Sequence, residues 1–65
     1  MKVQVRKPGR PYQWLVYLGN AEDGTVEPIT GTEAEAREFV KREDAESVIG
    51  HLREHCPNLG TRIVN

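Results

Sequence analysis

Cysteine, tryptophan, phenylalanine and methionine each occur only once in these 65 residues. Lone Cys56 cannot close an intramolecular disulfide, so the chain has no covalent staple of its own. Such cysteine usage fits a reducing compartment, and the cytoplasm is expected. No apolar run approaches the ~20 residues of a membrane span, and none has the form of a signal peptide. Aromatics make up 6% of the chain, so the core is small. A chain of this length buries only about 60% of its unfolded surface. One domain over residues 1–65 is all that the length supports. With no disulfide, a homodimer or a protein partner is the remaining route to further burial.

Acidic residues are absent from the first 19 positions, which hold Lys2, Arg6, Lys7 and Arg10. Residues 20–46 reverse this, with nine acids against Arg37, Lys41 and Arg42. The net charge of −1 therefore hides a basic edge and an acidic stretch. A field of this kind steers association with a partner of opposite charge. Duplex DNA would favour the basic edge and be repelled by the rest.

Hydropathy alternates with period two over Lys2–Arg6, which predicts a half-buried strand. Tyr12–Leu18 is rich in aromatic and β-branched residues and predicts a second strand. Strict alternation would put Trp14, Val16 and Leu18 on one face and Leu15 and Tyr17 on the other. Between these strands, Lys7-Pro8-Gly9-Arg10 has the proline and glycine that a type II turn demands. Asp23-Gly24 predicts the next turn, and Thr25–Thr30 returns as an edge strand because Pro28 lacks a donor.

Thr32 and Glu35 form a Thr-x-x-Glu capping box, which suggests one long helix starting there. Helical phase argues against that. At about 100° per residue, Ala45, Val48, Ile49, Leu52 and Cys56 make one stripe, and Phe39 and Val40 fall opposite it. A break near Lys41-Arg42 resolves the conflict, with Ala36–Val40 as a short turn or strand that brings Phe39 to the core. Pro57 stops the helix, and Gly50 inside it predicts close packing on a neighbour. Thr61–Asn65 is the closing strand. The expected fold is α+β: a small antiparallel sheet of three to four strands with one amphipathic helix, at about 43–56, packed on one face. The other face would then expose Leu15 and Tyr17 as a candidate interface.

His51-Leu52-Arg53-Glu54-His55 spells H-x-x-E-H, in which two imidazoles at i and i+4 share a helical face. A catalytic zinc also needs a third ligand and a formed cleft, for which so short a chain leaves little room. Ordinary histidines at the core boundary are the expectation, with no metal and no cofactor. Cys56 falls at the helix C-terminus, the wrong end to activate a thiol, and is expected to pack. No Gly-rich phosphate loop or Ser/His/Asp set appears, so no catalytic residue and no enzyme activity are expected. Gly9-Arg10-Pro11 is similar to the core of AT-hooks, which read the minor groove of A·T-rich DNA. Pro8 stands where their first arginine should be, and Tyr12, Gln13 and Trp14 follow in place of basic residues. A turn is the better reading.

Ala36-x-x-Phe39, Arg42-Glu43-Asp44-Ala45, Leu52-Arg53, Pro57 and the closing Arg62-Ile63-Val64 together resemble many small uncharacterised proteins of phages and bacterial mobile elements. In these a β-hairpin precedes an A-x-x-F…E-[DE]-A helix and a final strand. The resemblance covers half the chain, mostly core and capping positions, and implies the fold. It also implies an accessory role, inhibitors of host defence such as anti-CRISPR proteins being among such factors.

Two functional expectations follow, with a third class beside them. The first is a small non-catalytic inhibitor whose acidic face blocks a basic, nucleic-acid-facing surface of a host protein. Its residues would be Glu33, Glu35, Glu38, Glu43, Asp44 and Glu46, anchored by an aromatic such as Tyr17. The second is a nucleic-acid-binding module using Arg6, Lys7 and Arg10 with Tyr12 as a stacking group. A structural dimerisation unit is the third.

Overall fold

A computed structural model describes residues 1–65. Four strands, β1 (Lys2–Arg6), β2 (Gln13–Asn20), β3 (Val26–Gly31) and β4 (Gly60–Val64), form one antiparallel sheet in the order β3-β2-β1-β4. The single helix α1 (Arg42–His55) lies across one face. This is the expected α+β architecture, with β3 and β4 at the edges.

Local chemistry explains the turns. The Arg10 amide N–H donates to the Lys7 carbonyl at 3.0 Å, and Gly9 takes φ +74°, as a type II turn requires. In the β2–β3 hairpin, Asp23 accepts from the Thr25 amide at 3.1 Å and from the Thr25 hydroxyl at 2.7 Å. Pro28 sits in edge strand β3, where its missing N–H costs no ladder bond.

The alternation predicted for β2 fails at one place. Leu15 pairs with Thr30 and Tyr17 pairs with Ile29, so Val16 is an extra residue in a β-bulge. The bulge turns Leu15 and Leu18 toward the helix, while Trp14 and Tyr17 share the opposite face. Leu15 is therefore core, only 1% exposed, and not part of an uncovered patch. Tyr17 is 54% exposed, as expected.

Beside the bulge, the ladder between β1 and β2 opens. Strands β1 and β2 pair directly only at Gln4–Trp14 and Val5–Gln13, and then diverge. The segment Ala36–Phe39 fills the gap. Its Arg37 amide donates to the Leu15 carbonyl at 3.1 Å, and its Phe39 amide donates to the Met1 carbonyl at 2.7 Å. Phe39 thereby enters the core at 4% exposure, beside Val3, Val5, Leu15, Ala45, Ile49 and Leu52.

The helix starts at Arg42, so the predicted break is present and the boundaries differ by one residue from 43–56. Glu43 and Asp44 occupy its first turn and Arg53 and His55 its last, matching the macrodipole. The Thr32–Glu35 box forms, with reciprocal bonds of 3.0 and 3.3 Å, but it closes a turn and starts no helix. Gly50 is exposed, and a Cβ there would touch nothing within 4 Å, so close packing within this chain is not its reason.

Candidate functional site

The helix covers one face of the sheet and leaves the other without a layer. Register assigns the residues of that open face. Gln4 pairs with Trp14 and with Arg62, so Lys2, Gln4, Arg6, Trp14, Arg62 and Val64 point the same way. Tyr17 and Ile29 join them beyond the bulge. Both tyrosines and the one tryptophan of the chain thus border this face, with three cations among them.

Cations and rings pack together here. The Arg62 guanidinium lies 3.9 Å from the centroid of the Tyr12 ring, and Arg6 lies 5.0 Å from the same ring. Lys2 approaches the Trp14 ring at 5.9 Å. Arg62 Nε also donates to the Gln4 side-chain oxygen at 2.6 Å, which satisfies a buried amide. Gly60 sits opposite Arg6 in the ladder, and a Cβ there would come within 2.9 Å of the Arg6 side chain. Its absence lets the Arg6 side chain lie against β4.

Charge differs between the two ends of the sheet. At the β1–β2 turn, Lys7, Arg10, Pro11 and Gln13 line a shallow hollow of about 300 Å³ that contains no acid. Gln13 pairs with core residue Val5, so this hollow adjoins the open face from the helix side. At the other end, Glu33 and Glu38 border a hollow of about 230 Å³ with Lys2 and Trp14. Lys2 is bound there, its Nζ donating to the Glu33 carbonyl at 2.9 Å. Arg6 and Arg62 are thus cations of the open face with no acid partner, both packed on Tyr12 and Arg62 also bonded to Gln4. Lys7 and Arg10 belong to the adjoining turn. Sequence reasoning found Arg6, Lys7, Arg10 and Tyr12; it missed Trp14 and Arg62 as members. Period two in both flanking strands was the signal for them, but the register that aligns them is not local.

The six acids predicted as a face are all exposed, and their environments differ. Glu38 pairs with the Met1 amino group at 3.0 Å and Glu46 with Arg42 at 3.0 Å. Glu35 accepts from the Thr32 backbone amide and hydroxyl, which hold its carboxyl below the usual carboxylate range. Glu33, Glu43 and Asp44 have no ion pair. Tyr17, the suggested anchor, stands on the open sheet face beside Ile29 and Trp14. Val40, between Glu38 and Glu43, is 91% exposed.

On the helix, the His51 and His55 rings are 4.5 Å apart. Glu54 lies with them, and one ligand atom from each of the three is within 4.8 Å of the others. All three residues are exposed rather than at the core boundary. Cys56 is turned away from them, its Sγ pointing to the Val26 carbonyl at 3.5 Å. No helix is long and apolar enough to cross a membrane. Comparison with protein-family models, curated proteins and solved structures finds no match.

Proposed function

We propose that this chain is a non-catalytic binding module whose open sheet face takes single-stranded nucleic acid. One observation carries the reading: aromatic and cationic side chains converge on the face that the helix leaves uncovered. Arg62, Arg6 and Tyr12 pack at one side of Trp14, and Lys7 and Arg10 add cations at the adjoining turn, toward its helix side. Tyr12 and Trp14 are half-buried and Tyr17 is exposed. The open parts of such rings and guanidinium planes stack on bases of any sequence, and the cations neutralise phosphates. The acidic end at Glu33 and Glu38 repels phosphate, so the strand is expected to lie at the turn end.

Trp14 is the only tryptophan, and it sits on the face in question, so it reports on binding directly. Titration with an oligo(dT) of about 12 nucleotides at low salt tests the proposal. The expected result is quenching of Trp14 fluorescence, with an affinity that falls steeply as salt rises. Arg6→Ala with Arg62→Ala should abolish it. No quenching and no gel shift at low salt would discard the reading.

An inhibitor of the anti-CRISPR type, acting through its acidic segment, is a second reading favoured by a separate observation. Val40 is almost fully exposed in a segment that also carries Glu38, Lys41, Arg42, Glu43 and Asp44, and an exposed apolar residue with acids near it in the chain suits docking on a basic protein surface. Reversal of Glu38, Glu43 and Asp44 to Lys would abolish such docking and leave oligo(dT) quenching in place.

A further inference from the structure

We propose that His51, Glu54 and His55 form a binding site for a borderline divalent metal ion, of which Zn²⁺ is the probe of choice. Three observations support it. The two histidines are one helical turn apart, with ring centroids 4.5 Å from each other. The Glu54 carboxylate offers a third donor, and the three ligand atoms lie within 4.8 Å of one another. The group sits in the last turns of α1, where the carbonyl ends give a negative partial charge that favours a cation.

Donor chemistry selects the ion. Two imidazole nitrogens and one carboxylate oxygen suit Zn²⁺, Cu²⁺ or Ni²⁺, while Mg²⁺ and Ca²⁺ prefer sites made of oxygen alone. Zinc bonds of about 2.0–2.2 Å place neighbouring donors about 3.3 Å apart in a tetrahedron. The ligand atoms are already within 4.8 Å, and their side chains are exposed, so rotation about the side-chain torsions closes the site without moving the backbone. Three protein ligands leave one position to water or to a donor from another molecule.

Cys56 is not a ligand here. Its Sγ points at the Val26 carbonyl, away from the histidine pair. Nor is the group a protease centre: the residues stand on an exposed helix surface and line none of the hollows of the molecule. The bound ion would instead staple the end of the helix. It would thereby stabilise the fold, since it binds a site that the unfolded chain lacks.

Zinc chloride is titrated into the chelator-stripped full chain, in competition with a chromophoric zinc chelator and in excess Mg²⁺. One equivalent per chain is expected, with a thermal midpoint raised by about 5 °C or more at saturation. His51→Gln and His55→Gln should each weaken binding about tenfold or more, the scale at which even outer-shell groups act. Both positions are exposed, so the zinc-free midpoint should barely change. Cys56→Ser should bind zinc like the parent chain. Absence of saturable binding, binding unchanged in His51→Gln, or binding lost in Cys56→Ser would each overturn the proposal.

Discussion

The Arg62 guanidinium and the Tyr12 ring are 3.9 Å apart although 50 positions separate them in the chain. Arg62 comes from edge strand β4 and Tyr12 from the residue before β2, so their contact spans β1 between them. The same arginine donates to Gln4, which is 8% exposed. One side chain therefore ties β4 to β1 and to the residue that leads into β2 across the open face.

Arg62→Ala should lower stability by about 1–2 kcal/mol, because it removes a cation–π contact and strands a buried amide oxygen. Arg62→Lys should recover less than half, since an ammonium lacks the planar fork. A double-mutant cycle with Tyr12→Leu, followed by urea unfolding, should give a coupling of about 0.5–1 kcal/mol. Coupling within error of zero would show that the two groups are neighbours without interacting.

Two adjacent residues of the connecting segment should behave in opposite ways. Phe39 is 4% exposed and Val40 is 91% exposed. Phe39→Ala should cost about 3–5 kcal/mol, enough to abolish a cooperative unfolding transition in so small a domain. Val40→Ala should stay within about 0.5 kcal/mol of the parent chain. Circular dichroism during thermal unfolding reads both. A cooperative Phe39→Ala variant near the parent midpoint would mean that the Ala36–Phe39 segment does not close the core in solution.

That segment also marks where sequence reasoning stopped. The break before α1 was legible because Phe39 and Val40 are out of phase with the Ala45–Leu52 stripe, and phase is a local property. The turn at Pro8-Gly9 was legible for the same reason. The bulge at Val16 was not. Leu15, Val16 and Tyr17 are all strand formers, and nothing among them marks an extra residue. The bulge coincides with a contact from about twenty positions away, where Arg37 bonds to Leu15 in the gap between β2 and β1. The misplacement of Leu15 on the open face follows from that one insertion, since a slip of one residue swaps the faces. Thr32 and Glu35 show the converse: their hydrogen bonds were predictable, but whether a helix follows depends on where Phe39 must go. At the candidate site, the turn cations were legible and Arg62 was not, because only the β1–β4 register brings it to Tyr12.

Glycine at position 50 is the clearest opportunity to stabilise the fold. It lies inside α1, and a Cβ there meets nothing within 4 Å. Gly50→Ala should therefore add about 1 kcal/mol, the full difference in helix propensity. Gly9→Ala should lose about 1 kcal/mol, because Gly9 holds φ +74°. Urea midpoints compare the two directly. Loss of stability in Gly50→Ala would show that the position is packed in solution, for example against a second copy.

The Thr32–Glu35 turn predicts part of the acid sensitivity. The Thr32 amide donates to Glu35 Oε1 at 3.0 Å and the Thr32 hydroxyl at 2.9 Å, which lowers the Glu35 carboxyl below its ordinary range. Asp23 is lowered in the same way, first by the Thr25 hydroxyl and then by the Thr25 amide. For such groups the unfolded chain binds protons at higher pH than the folded one. Their stabilisation is thus complete above the ordinary carboxylate range and is lost as pH falls through the depressed folded value. Thermal midpoints measured from pH 7 down to about 2 should fall for the parent chain and fall less for Glu35→Gln, which cannot titrate. Asp23→Asn combined with Glu35→Gln should flatten the profile further, Asn being able to keep the turn. Both groups are exposed, so salt should compress the differences without reversing their order. Parallel profiles for all three chains would mean that neither turn holds its hydrogen bonds in solution.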